Sequence, residues 1–472
     1  MSFTYPIVVS AIFCNWCARE LQAVSSGISN QRIELQNCLI MASLLNATLV
    51  IPPALLGTPI PWFALEKMRK LLRIGIETER NPRSCLDKHK YGATCINEHG
   101  KPTRTFVEWG DLINIEGLTE RLGLKIVTWE EFASLEGIEI LDTNIWRNST
   151  LSSQTIVTIS DQLDSLSFSD EVLYGYRFTE SSTDFWGKPV ELAEYTGPLV
   201  NVRDLRAILD TLYPPDSGKR HVIQFGSMFG SHRVEVSSAN SLQIAHEIST
   251  YILPLSNSRM VNVVNKVVSL LGGTGTYLGV HIRQGDGIFE QEAETTMAET
   301  LTIMDSWKRR HFDFTTDDQQ DNIGRQIHWP YDRLGPLSNR NATEAANLLD
   351  FHSSSVDPHI FPLLVSCFSP LNVPPMPVVF VATDMARPRG SALFVTLSKS
   401  FPCTFYLSDF GPALVPLENS LDTVGRTNSD HVVSLVDQAV VSMGGAFIGS
   451  RRSTFSALCA RIHDVYRFHE EH

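Results

Sequence analysis

The chain has 472 residues, 43% hydrophobic and 19% charged, which excludes a disordered or fibrous protein and favours two folded domains over one. Its formal net charge of −13 excludes binding to nucleic acid through a broad basic surface, though not a local basic pocket for a diphosphate. No apolar run reaches the roughly 18 residues of a membrane-spanning helix, and no basic region followed by an apolar core marks a signal peptide at the N-terminus.

The first element is a buried strand over Pro6–Phe13, rich in β-branched residues. A small-residue turn, Ser25 to Ser29, leads into a helix over Asn30–Asn46, where Leu35, Leu39, Ala42 and Leu45 share one face. Thr48–Ile51 is a second strand, stopped by Pro52-Pro53, so the three elements form a βαβ unit with parallel strands. The middle, Pro59 to Leu212, mixes Trp, Pro and polar stretches and reads as peripheral helices and loops. His221–Phe225 is a strand, and a helical stretch from Asn240 to Leu271 follows, with the domain boundary placed near residue 260.

Beyond Gly272-Gly273 the alternation is cleaner. Strands are expected at Tyr277–Ile282, Val378–Ala382, Cys403–Leu407 and Ala446–Ile448, with helices at Ser391–Lys399, His431–Met443 and Ser453–Arg467. Residues 288–359 read as a polar insertion. The fold class is therefore α/β, with two doubly wound Rossmann-like domains, 1–260 and 261–472, facing each other across a cleft.

Eight cysteines are too few for a disulfide scaffold. Cys14 and Cys17 form a lone CxxC with no second pair to complete a zinc site, and Cys85 and Cys95 flank a turn-rich segment that an oxidising compartment could close. Asn46, Asn148 and Asn341 each open an Asn-X-Ser/Thr triplet. Such triplets arise by chance in a long chain, and Asn46 abuts an apolar strand where a glycan is not expected to fit.

Four segments just past strand ends carry the chemistry. Gly27-Ile-Ser-Asn30-Gln-Arg32 brings backbone and a helix N-terminus to a ligand, or is simply an Asn-capped turn. In His281-Ile-Arg283-Gln-Gly-Asp286-Gly, strand alternation puts His281 and Arg283 on one face. The guanidinium fork suits a leaving diphosphate, and Asp286 could orient it; a structural Arg–Asp pair is the alternative. Ala382-Thr-Asp384 ends a strand in a carboxylate that could accept from a base or ribose, or cap the next segment. In Gly449-Ser-Arg-Arg-Ser453-Thr454-Phe455-Ser456 two hydroxyls and free N–H groups could receive phosphate while Phe455 stacks on a base, or Ser453 is a plain cap and Phe455 a core residue. GxSxG, GxxxxGK[ST], HExxH and a properly placed GxGxxG are all absent. Asp317-Asp318 lies in the polar insertion and makes no convincing metal-ligating motif.

These segments resemble, in the same order, the O-fucosyltransferase family, especially its plant-type and fungal branch: "GISNQRIELQNCLIMASLLNATLVIP", "FGSMFG", "GVHIRQGD", "VFVATD" and "FIGSRRSTFS". About 55–215 and 288–375 match nothing. The resemblance implies a GT-B fold and an inverting, metal-independent transfer of fucose from GDP-fucose to a hydroxyl of a protein or glycan acceptor. It implies that Arg283 meets the diphosphate with His281 beside it, and that Asn30 lies at the reaction centre. Gly27, Asp286, Asp384, Ser453, Thr454 and Phe455 would then hold the donor, with no cofactor. Ser26 stands where the family's loop has its second glycine, and Ser25 and Ser26 stand where a general-base Glu would be expected, so no base is assigned. A relative using UDP-rhamnose, or a catalytically silent sugar-binding module, is the alternative. The family's usual setting is the Golgi or ER lumen, but no anchor is visible and the compartment stays open.

Overall fold

The structure is a computed structural model. It describes residues 7–11, 27–57, 104–128, 131–132, 134, 155–160, 163–168, 177–180, 199–202, 205, 220–225, 228, 233–284, 287–312, 333, 353–368, 376–385, 387–419 and 429–470. Two compact units are present: Met1–Ala18, Gly27–Ile252 and Asp422–Val424 form the first, and Arg19–Ser26, Leu253–Leu421 and Gly425–His472 the second.

In the first unit, β1 (Ile7–Ala11) and β2 (Thr48–Ile51) pair in parallel, with Val9 opposite Leu49. The Gly27–Leu45 helix connects them and begins three residues before the position its apolar spacing indicates. Leu35, Leu39, Ala42 and Leu45 are buried as their spacing requires, but so are Ser29, Asn30, Gln31, Arg32, Glu34 and Asn37. The helix is thus enclosed on all sides, and a polar stripe runs through its buried surface.

Its C-terminus closes in a Schellman turn. The Ala47 N–H donates to Ala42 O at 2.9 Å and the Asn46 N–H to Ser43 O at 3.1 Å. Asn46 takes the left-handed position with φ 48°, where Asn is tolerated next best after Gly. Its side chain is exposed, while the strand that follows is buried.

Four further strands complete the main sheet, β5 (Ile126–Thr128), β6 (Thr155–Ser160), β7 (Leu163–Phe168) and β10 (Arg220–Phe225), in the order β5-β2-β1-β10-β7-β6. All neighbours are parallel except β6 and β7. The middle of the chain is therefore not peripheral, as β5, β6 and β7 extend the sheet on both sides. It also supplies β4 (Arg104–Val107), which pairs with β3 (Ala54–Gly57), and β8 (Arg177–Thr179) and β9 (Leu199–Asn201), which form a small sheet with β11 (Val234–Glu235) from beyond it. The continuous helix expected over Asn240–Leu271 is two, Ala239–Ile252 and Ser258–Leu270. Pro254 lacks the N–H that continuation needs, and the Asn257 side chain caps the second helix by accepting from the Arg259 and Met260 N–H groups.

The second unit holds a four-stranded all-parallel sheet of β12 (Leu278–Ile282), β13 (Val379–Thr383), β14 (Thr404–Tyr406) and β15 (Ala446–Ile448), ordered β14-β13-β12-β15. Met297, Met304 and Trp307 from the Ala293–Phe312 helix, and Phe394 and Leu397 from the Ala392–Ser400 helix, join Val280, Ile282, Val379 and Val381 in one core. Residues 287–312 are thus helical and partly core, not a polar loop. Their buried positions are widely spaced among charged residues, which hides the amphipathic pattern.

The Ser429–Ser442 helix packs against β12 and β13. A Cβ on Gly279 would lie 2.0 Å from Val441 O, so only glycine permits that approach. Arg333 adds one bridge to β15: its N–H donates to Phe447 O at 2.8 Å and its carbonyl accepts from the Phe447 N–H at 2.9 Å. A disulfide the sequence did not indicate joins Cys367 to Cys403, which are 36 residues apart. Cys14, Cys17, Cys85 and Cys95 lie outside the described residues, as do Asn148, Asn341 and Asp317-Asp318. No described helix is long and apolar enough to cross a membrane.

Candidate functional site

The strand order of the second unit locates its crevice. From β12 the chain moves outward to β13 and β14, then returns to lay β15 on the other side of β12. Strand order reverses between β12 and β15, and in such sheets ligands bind beyond the carboxyl ends of the strands at that point. His281 lies at the end of β12 with Arg283 just past it, and the segment from Gly449 to Ser456 follows β15.

Several bonds join these two strand ends. Ser450 Oγ accepts from the Arg283 N–H at 2.9 Å and donates to His281 O at 2.9 Å, so one hydroxyl latches β12 to β15 just past their ladder. His281 Nδ1 lies 2.6 Å from Ser456 Oγ, and its ring stacks on Phe455 with centroids 4.4 Å apart. Burial, with the Arg283 charge adding to it, pushes the His281 pKa down to about 3. The imidazole is therefore neutral across the physiological range. Phe455, expected to stack on a base, has His281 as its observed ring partner.

Arg283 is held on two sides. Its Nε lies 3.2 Å from Asp384 Oδ2, and its guanidinium sits 5.4 Å from the Phe289 ring centroid. The second Asp384 oxygen, Oδ1, accepts from the Gln284 N–H at 2.9 Å. The Arg283 side chain is only 4% exposed. The Arg–carboxylate pairing foreseen at this strand end is made by Asp384; Asp286 lies outside the described residues.

Ser453 opens the last helix, Thr454–Glu470, as a cap: its Oγ accepts from the Ser456 N–H at 3.3 Å. Thr454 and Phe455 are half-buried on the first turn. Gly449 is needed here because a Cβ would stand 2.7 Å from the Ser456 Cβ, and this close approach lets Ser456 reach His281.

Asp437 gave no sequence signal of its own. It lies on the Ser429–Ser442 helix, where the Thr383 N–H donates to its carboxyl, while its buried Oδ1 has no hydrogen-bond partner. Burial pushes this carboxyl well above the usual carboxylate range, opposed by the Thr383 bond. The helix carries several other polar residues, Asp430, His431, Ser434 and Gln438 among them, so its composition does not single Asp437 out. The buried Ser450 and Ser456 belong to a recognised motif but were given no role by it.

In the first unit, Gly27 and Asn30 fall in the opening turn of the Gly27–Leu45 helix, and Asn30 is 1% exposed. Gln31 fixes this turn by a reciprocal pair with Leu55, Nε2 to O at 2.6 Å and N to Oε1 at 2.8 Å. Arg32 donates to Ile252 O at 2.8 Å. Among the described residues, no cluster of three or more His, Cys, Asp or Glu side chains could hold a metal ion.

No protein-family model matches the chain. O-fucosyltransferase 30 of Arabidopsis thaliana is 25% identical over 234 residues. That match covers 44% of this chain and 42% of the relative's length. Among solved structures, POFUT1 in complex with GDP-fucose aligns over 98% of this chain and 96% of its own, with a TM-score of 0.38 and 13% identity. POFUT1 in complex with GDP aligns over 98% and 97%, with a TM-score of 0.37 and 14% identity. The chain is thus similar in sequence to a plant O-fucosyltransferase over less than half of either protein.

Proposed function

We propose that the chain is a glycosyltransferase of the GT-B class that moves fucose from GDP-fucose to a hydroxyl of a protein or glycan, with inversion and without a metal. One observation carries this reading: Arg283 stands at the carboxyl end of β12, beside the reversal of strand order, and is buttressed by Asp384. Charge developing on the β-phosphate of a leaving GDP would meet the guanidinium there. The positive end of the Thr454–Glu470 helix would share that load, which is how a transferase can dispense with a cation. Neutral His281, fixed by Ser456 and Phe455, would donate or accept a hydrogen bond without adding charge.

The donor residues divide by what they already hold. Asp384 has both oxygens engaged, by Arg283 and by the Gln284 N–H, so its task in the proposal is to orient Arg283. Asp437, with an unpartnered buried oxygen, is the better partner for the N–H donors of guanine. Uracil has only one N–H on its pairing edge, so this assignment favours GDP over UDP. Asn30 stays the reaction-centre residue of the first unit, with Gly27 giving close backbone approach.

The test is transfer of labelled fucose from GDP-fucose to water or to a panel of hydroxyl acceptors, with UDP-rhamnose in parallel. Release of GDP from GDP-fucose supports the proposal. Turnover of UDP-rhamnose alone, or binding with no turnover of any donor, overturns it.

A further inference from the structure

We propose that Gln284 reads the sugar of the donor, its side-chain amide donating a hydrogen bond to a hydroxyl of the ring; this inference rests on the nucleotide-sugar reading above. Gln284 lies two residues past β12, next to Arg283. The Arg283 N–H donates to Ser450 Oγ, beyond β15, whereas the Gln284 N–H donates to Asp384 Oδ1, beyond β13, each at 2.9 Å. Successive amides turned to opposite neighbours are the mark of extended strand. The strand geometry therefore runs on through Gln284 after the ladder with β13 has ended at Ile282.

Alternation then sets the side chains of Arg283 and Gln284 on opposite faces of the sheet. Val280 and Ile282 share the face of Gln284 and pack there against Met297 and Met304. Gly279, His281 and Arg283 share the other face, where Gly279 abuts Val441 O of the helix that also carries Asp437. Gln284 is 5% exposed, and its Nε2 is buried with no hydrogen-bond partner. Leaving a buried amide donor unsatisfied destabilises a fold, and an apolar side chain continuing the run of Val280 and Ile282 would avoid that cost. The amide is accounted for once a ligand brings the acceptor.

In the donor reading the diphosphate meets Arg283 and the base meets Asp437, both on the helix-facing side of β12. The part of the donor still without a partner is the sugar. It is bonded to the β-phosphate, so it would lie over the carboxyl end of β12, one residue from Arg283, and turn hydroxyls toward Gln284. A hydroxyl oxygen accepts from an amide N–H, and a neutral amide adds no charge beside the diphosphate. A buried donor of this kind also selects, because a sugar without a hydroxyl at that place leaves the amide unpaired.

The experiment is calorimetry on the full chain and on Gln284→Met, which keeps the length of the side chain and removes its polar atoms, with GDP, GDP-fucose, UDP and UDP-rhamnose as titrants. The variant should bind GDP as wild type does and lose about tenfold in affinity for GDP-fucose. Thermal unfolding without ligand should place its melting temperature at or above that of wild type, since no bond is lost and an unsatisfied donor is removed. Equal losses for GDP and GDP-fucose, no loss for either, or a lower melting temperature in both Gln284→Met and Gln284→Leu overturns the role of Gln284 and leaves the donor reading standing. The same selective loss for UDP-rhamnose against UDP, with no binding of GDP or GDP-fucose, supports Gln284 as the sugar reader and overturns the choice of GDP-fucose. Binding of none of the four by wild type overturns both.

Discussion

Acidifying the chain from about pH 8 to about pH 5 should cost it stability through two buried imidazoles, by an amount the structure sets. Both are depressed by burial before any other influence: His281 to about 3 and His463 to about 4, against an ordinary value of 6.5. The folded chain therefore keeps both rings neutral at pH 5, while the unfolded chain protonates them once the pH drops through 6.5. Stability from these groups is complete above that point and falls below it, levelling off only near the folded values. At pH 5 each ring has lost about 1.5 pH units of differential proton binding, about 2 kcal/mol, and the two together about 4 kcal/mol. Asp437 works in the opposite direction, because its folded pKa is raised and the folded chain binds the extra proton. The difference between wild type and a His281→Asn variant removes such common contributions. Denaturant unfolding of both proteins across this range should show the variant losing about 2 kcal/mol less than wild type. Parallel profiles would refute the claim that His281 is held neutral against the Arg283 charge.

Arg283→Ala should lower transfer on the order of 10²–10³-fold with an unchanged fold, and Arg283→Lys should recover only part, lacking the forked donors; steady-state kinetics with circular dichroism decides. Asp437→Asn should weaken GDP more than UDP by calorimetry. Since guanine N–H donors favour the ionised carboxyl, GDP binding to wild type should release protons and tighten as pH rises. Chelation with EDTA should leave transfer intact, and restoration by Mn²⁺ or Mg²⁺ after its loss would contradict the proposed mechanism. Gly279→Ala should destabilise the second unit by several kcal/mol, because its Cβ would meet Val441 O at 2.0 Å; thermal unfolding reads this directly.

Much of the frame was legible where one interaction dominates. The Leu35, Leu39, Ala42, Leu45 stripe and the apolar runs of β12, β13 and β15 declare themselves because these elements are buried on their apolar positions. Strand β7 does not: Leu163-Asp-Ser-Leu-Ser-Phe168 is half polar, and its place beside β10 is decided by tertiary pairing rather than by its own composition. The Ala293–Phe312 helix was hidden because Met297, Met304 and Trp307 stand among charges that face outward. At the candidate site, residues at strand ends were readable from motif and alternation together. Asp437 was not, since nothing local distinguishes a buried acid on a helix from a solvated one. The pairing of Arg283 with Asp384 joins residues about a hundred positions apart and becomes visible only when β12 and β13 lie side by side.

The single bridge from Arg333 to Phe447 bears on how the protein behaves among its own copies. β15 is the last strand of its sheet, and a bare strand edge is a template on which another chain can add. Arg333 occupies that edge with both of its backbone groups. Its guanidinium is fixed to Asp464 through two bonds of 2.6 and 2.8 Å, which keeps the cover in place. Neutralising Asp464 would loosen the cover without touching the sheet, and its first symptom would be concentration-dependent self-association rather than lost catalysis.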